Sequence, residues 1–135
     1  MLELIAQVLA YSGVGLAILV VGYFVIDVLT PGKLGAQVSE GNPNAAVLVA
    51  ASLVSLGLIE YFAIYFTGAG WDGLDDALVF GLVGVAVQAA GFFILDLLTP
   101  GKLGAILMVE RFHPATAVSA AAQVAVALIV AASLT

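Results

Sequence analysis

Apolar residues run through this chain in long unbroken stretches and do not alternate with polar ones. No charged residue stands between Glu3 and Asp27, between Glu40 and Glu60, between Asp76 and Asp96, or from Pro114 to Thr135. A bilayer core about 30 Å thick takes about 20 apolar residues per helix. The stretches therefore predict four spanning helices, at 4–27, 45–67, 76–97 and 115–134. A membrane barrel would show period-two alternation, which these runs lack. The expected fold is an all-α membrane protein.

The polar segments between the spans repeat. When Asp27 is laid over Asp96, Asp27-Val28-Leu29-Thr30-Pro31-Gly32-Lys33-Leu34-Gly35-Ala36 meets Asp96-Leu97-Leu98-Thr99-Pro100-Gly101-Lys102-Leu103-Gly104-Ala105. The match extends back into the helices, where Val14, Gly15, Ala17, Gly22 and Phe24 meet Val83, Gly84, Ala86, Gly91 and Phe93. After an insertion it resumes, with Pro43, Ala46 and Val47 over Pro114, Ala117 and Val118. The chain thus reads as two tandem helical hairpins, 1–67 and 76–135, joined by an acidic outer loop at 68–75. Each hairpin crosses twice, so both copies are parallel-oriented, with a pseudo-axis along the membrane normal. Thr30 and Thr99 read as N-caps, with Pro31 and Pro100 opening a short interfacial helix in each connection. Asn42-Pro43 and His113-Pro114 repeat the device at the second and fourth spans.

Composition sharpens this picture. The chain has 135 residues, 64% hydrophobic and 9% charged, against about 45–50% apolar and about 25% charged in a soluble domain. That excludes a soluble globular domain and a disordered chain. The net charge of −6 and the lack of any Lys/Arg cluster exclude nucleic-acid binding. The chain has no cysteine, which excludes thiol chemistry, and no metal site or cofactor is expected. Met1-Leu2-Glu3 lacks a positive n-region, so the first run reads as a retained span. Lys33 lies between spans one and two, and Lys102 and Arg111 between spans three and four. The positive-inside bias puts those connections in the cytoplasm, and the termini and the Trp71 loop outside.

The duplicated Asp-x-x-Thr-Pro hairpin, with Gly41-Asn42 followed by Ala45-Ala46, resembles the YjfL-type inner-membrane proteins. These are small bacterial four-span proteins catalogued as a domain of unknown function. The resemblance covers nearly the whole chain. It implies residence in the bacterial inner membrane and four helices, and supplies no activity.

Glu60 is the sharpest chemical feature. It interrupts Leu56-Gly57-Leu58-Ile59 and Tyr61-Phe62-Ala63-Ile64, well inside its span, where a carboxylate is expensive and usually faces a bundle interior or cavity. It reads as a proton- or cation-binding site, or as an acid joining helices by hydrogen bonds. The second copy carries Ala131 at the matching place. Asp27 and Asp96 close the two duplicated helices against the macrodipole. Their readings are ion pairs with Lys33 and Lys102, or a cation vestibule. Gly15 and Gly22 share a stripe with Ser12, and Gly84 and Gly91 share one with Gly81 and Gln88; small residues so spaced permit close helix approach in lipid. Thr116, Ser119 and Gln123 form a polar stripe in span four, as interhelical hydrogen-bond partners or a path facing Glu60. His113 reads as a cap.

One histidine and no cysteine assemble no nucleophile–base pair, so an enzyme is not expected. Two functions remain. One is a homo-oligomer leaning towards cation or proton permeation or coupling through Glu60. The other is a structural membrane subunit that docks a protein partner through its Thr-Pro-Gly-Lys connections. A rotor-ring subunit is a narrower rival.

Overall fold

The structure is a computed structural model that describes residues 1–29, 34–66, 70–98 and 111–134. All regular structure among the described residues is helical. The long helices are α1 (Leu2–Leu29), α3 (Pro43–Phe66), α4 (Gly73–Leu98) and α5 (Pro114–Ser133), with a short α2 (Leu34–Ser39) after the first. The four long helices have the length and hydropathy to cross a membrane.

Local chemistry sets the helix ends. Asn42 caps α3: its Oδ1 accepts from the backbone N–H of Asn44 at 2.9 Å and of Ala45 at 3.2 Å. His113 sits in extended backbone before α5 and its Nδ1 accepts from Ala115 N–H at 3.0 Å. Both caps satisfy N–H groups that the first turn leaves without a helical partner. A reversed turn closes α2. Gly41 takes φ +83°, and Gly41 N–H and Asn42 N–H donate to Val38 and Gln37 carbonyls at 3.0 Å each. That is a Schellman ending, which needs the left-handed conformation glycine adopts freely. α4 starts at Gly73, inside the segment expected as loop, after a single 3₁₀ turn at Gly70–Asp72. Asp75 and Asp76 occupy its first turn, where their charge complements the helix dipole. The turn residues Thr30, Pro31, Lys33, Thr99, Pro100 and Lys102 lie outside the described residues.

α3 and α4 form the centre, each packed against the other three long helices. Three apolar clusters fill the interior: Ile26, Ala45, Leu48 and Phe92; then Ile18, Leu56 and Val85; then Ile59, Ala127 and Val130. Glycines let the helices close up, as expected where lipid gives no hydrophobic drive between helices. Gly22 receives Leu56, Gly84 receives Ile59, and Gly91 receives Val126, whose Cγ2 lies 3.2 Å from where a Cβ would be. α1 buries only Ile18, Gly22 and Ile26, one stripe at four-residue spacing. Val14, Leu19 and Val25 pack partly buried against the core, and most of its remaining apolar side chains face outward, as a lipid solvent allows. The last two turns of α3 stack Tyr61 on Tyr65 and Phe62 on Phe66, with ring centroids 5.9 and 5.7 Å apart. With the exposed Trp71 they form an aromatic band of the kind found at membrane interfaces.

Candidate functional site

Helices in lipid are apolar on both sides, so buried polar side chains mark what the interior is for. This interior holds three polar groups at successive depths.

The first joins the starts of α3 and α5. Asn44 is fully buried. Its Oδ1 accepts from Thr116 Oγ1 at 2.8 Å and from His113 N–H at 2.9 Å, and its Nδ2 donates to the Arg111 carbonyl at 3.0 Å.

The second lies two turns deeper. Ser52 Oγ donates to Gln123 Oε1 at 2.6 Å, and Gln88 Nε2 donates to the Gln123 carbonyl at 3.0 Å, so α3, α4 and α5 meet there. Ser119, also buried, stands between this cluster and Thr116 on α5. Gln88 Oε1, Gln123 Nε2 and the nearby buried Ser55 Oγ have no hydrogen-bond partner among the described residues.

The third is Glu60. It is 4% exposed, and neither carboxyl oxygen has a hydrogen-bond partner among the described residues. Glycines on two facing helices make its room. Oε2 occupies the place a Cβ would take on Gly81 of α4, and Cγ lies 3.6 Å from where a Cβ on Gly15 of α1 would stand. Ile18 closes the same corner, with Cγ1 3.0 Å from the Gly81 Cβ position. An unpaired buried polar group costs about 1–3 kcal/mol, and more when charged. Such a group in a folded chain calls for a reason.

An apolar layer separates Glu60 from the glutamine cluster. On α3, Leu56 and Ile59 fall between Ser52 and Glu60; on α4, Val85 falls between Gly81 and Gln88. Ile18, Leu56 and Val85 pack together as one cluster.

The structure therefore brings Thr116, Ser119 and Gln123 into the bundle interior and places Gly15, Gly22, Gly84 and Gly91 at helix contacts. It does not gather the three acids. Asp27 lies at the far end of α1, where its Oδ1 accepts from Gly35 N–H at 3.3 Å and ties α1 to α2. Asp27 follows Gly15 by three turns and more, roughly 18 Å along the axis. Asp96 is half-buried near the far end of α4 and is engaged in an interaction of its own.

Sequence reasoning missed Asn44, Ser52 and Ser55, and took Gly81 as packing alone. One signal was there. Ser52 and Gln123 differ by 71 positions, the offset that also relates Pro43 to Pro114.

Four lipid-length helices packed around buried polar groups define an integral, multi-pass membrane protein. The chain belongs to the family described as Domain of Unknown Function (DUF350), which it matches over residues 1–134. It is similar to the UPF0719 transmembrane protein of Mycobacterium bovis, 37% identical over 133 residues, covering 92% of this chain and 83% of that protein. It is also similar to the UPF0719 transmembrane protein of Mycolicibacterium paratuberculosis, 35% identical over 107 residues, covering 77% and 70%. No solved structure matches the chain.

Proposed function

We propose that this protein binds and passes a small cation or a proton across the bacterial inner membrane, with Glu60 as the binding group. The single observation behind this reading is the Glu60 carboxyl, buried at membrane depth between Gly15 and Gly81 with both oxygens free of partners among the described residues. A carboxyl retained only to join helices would be expected to donate or accept a hydrogen bond across the seam, as Ser52, Gln88 and Asn44 do. Glu60 instead keeps its binding capacity unspent, as an ion site requires. The chain is taken to work as a homo-oligomer, because α1 buries only Ile18, Gly22 and Ile26 in its own bundle and leaves most of its apolar side chains exposed.

The test is flux in liposomes. Purified protein should dissipate an imposed proton or cation gradient, and Glu60→Gln, which keeps the shape and removes the charge, should lose that activity. Gln123→Ala should retain some of it, because Gln123 lies beyond the apolar layer. Flux unchanged in Glu60→Gln rejects the reading.

A further inference from the structure

Beside Glu60 runs an open groove of about 630 Å³ between α1 and the last turns of α3, lined by Gln7, Tyr11, Ser12, Gly15 and Ile64 among others. Gln7, Tyr11 and Gly15 follow one another at four-residue spacing along one stripe of α1. The groove thus descends from the N-terminal end of α1 to the level of Glu60. At its foot stands Gly15, and Glu60 Cγ lies 3.6 Å behind the position of the missing Cβ. At its upper part the Tyr11 hydroxyl donates to the Gly70 carbonyl at 2.7 Å, holding the turn before α4 against α1. Further inward the Ile18, Leu56 and Val85 cluster closes the interior.

We infer that this groove is the entrance by which a proton, and not a metal cation, reaches Glu60 from the end of the bundle that carries Tyr11 and Trp71. The inference rests on the preceding reading of Glu60 as a binding carboxyl, and it names the ion and the side of access. Sidedness follows from the layout: on one side of Glu60 the groove lies open, with Gln7 and Ser12 set among the apolar side chains of Leu4, Val8 and Ile64, and on the other a packed apolar layer closes the interior. Glu60 Cγ already stands against Gly15, so a change of staggered rotamer is the movement that would carry the carboxyl to the groove.

The choice of ion follows from ligand number. A hard cation such as calcium takes about 6–8 oxygen ligands. Glu60 Oε2 lies against Gly81, and no group of three or more His, Asp or Glu side chains gathers among the described residues. A proton needs one oxygen.

Nothing else titratable crowds the site from the packed helices. α5 carries no ionisable side chain. On α4, Asp75 and Asp76 are exposed and Asp96 lies towards the opposite end. On α1, the Tyr11 hydroxyl is engaged with Gly70, while Glu3, Tyr23 and Asp27 lie two or more turns from Gly15. On α3 itself, Tyr61 and Tyr65 point outward, 58% and 67% exposed.

The chain has no cysteine, so Ser12→Cys creates a single thiol in the groove at an exposed position. A bulky maleimide is attached in detergent, and the protein is reconstituted in liposomes and followed by infrared spectroscopy. The expected result is a protonated-carboxyl band that Glu60→Gln abolishes and that raised sodium or potassium at constant pH leaves in place. Its shift on transfer to D₂O should slow several-fold when Ser12→Cys is labelled. The same label at Ala17→Cys, exposed on another face of α1, should leave the rate unchanged. Labelled Gln7→Cys, higher in the groove, should repeat the slowing and guards against local distortion at Ser12. Displacement of the band by sodium or potassium, a shift rate indifferent to both groove labels, or no band dependent on Glu60 overturns the inference. None of these readouts uses flux. A failed flux test with a positive exchange result therefore rejects the transport reading and leaves the entrance standing.

Discussion

Gly84 and Gly13 stand on adjoining helices and face opposite fates on gaining one methyl group. A Cβ on Gly84 would run into Ile59 Cγ2, whereas one on Gly13 would meet nothing within 4 Å. Ile59 is β-branched and stiff about its first side-chain torsion, so it yields poorly. Gly84→Ala should therefore destabilise the bundle by about 1–3 kcal/mol, the usual penalty for overpacking. Gly13→Ala should be neutral or stabilise by up to about 1 kcal/mol, since alanine favours helix. Thermal unfolding in detergent, followed by circular dichroism, separates the two. Gly81→Ala belongs to a third kind, because the atom in its way is the mobile end of Glu60. The carboxyl end can turn aside there, but the buried, β-branched Ile18, with Cγ1 at 3.0 Å, yields poorly, so the position bears on the carboxyl and on the packing alike.

Between elements, Asn44 ties the first turn of α3 to Arg111 and His113 before α5 and to Thr116 in its first turn through three hydrogen bonds. Asn44→Ala should cost about 2 kcal/mol or more, since each lost bond contributes about 0.5–1.5 kcal/mol. The loss should appear as a lowered melting temperature, with faster proteolysis near Arg111. How far the elements were legible in the sequence divides along physical lines. The four helices were plain, because charge is excluded from the bilayer core and so brackets each span. Helix ends moved by a few residues, where Asn42, His113 and the Asp75-Asp76 pair cap or start helices beyond the apolar runs. Helix rotation was legible on α1 only through Gly15 and Gly22, which do sit at helix contacts, and on α3 it was not legible. A helix apolar all round carries no stripe to point inward, so Ser52 and Asn44 gave no sign of facing α5. In α5 the spacing of Thr116, Ser119 and Gln123 supplied that sign, and all three are buried. The room for Glu60 was beyond reach, because it depends on two glycines from different helices meeting one side chain.

For the molecule as a whole, the positive-inside bias leads to the expectation that the Lys33 connection and the Trp71 turn face opposite sides of the membrane. Lys33→Cys and Trp71→Cys, each the single thiol of its chain, should react with a membrane-impermeant reagent from opposite faces of intact cells. Reaction from the same face would refute the topology. The depth of Glu60 has an electrical corollary. It lies roughly a quarter of the way in from the Phe66 end of a 24-residue helix, and a full crossing of 100 mV is worth about 2.3 kcal/mol per elementary charge. A positive charge arriving from that end traverses a proportionate share of the field, ~0.6 kcal/mol per 100 mV. Its occupancy would then follow the transmembrane voltage as well as the local concentration, so that an energised cell and a depolarised one would hold this site in measurably different states.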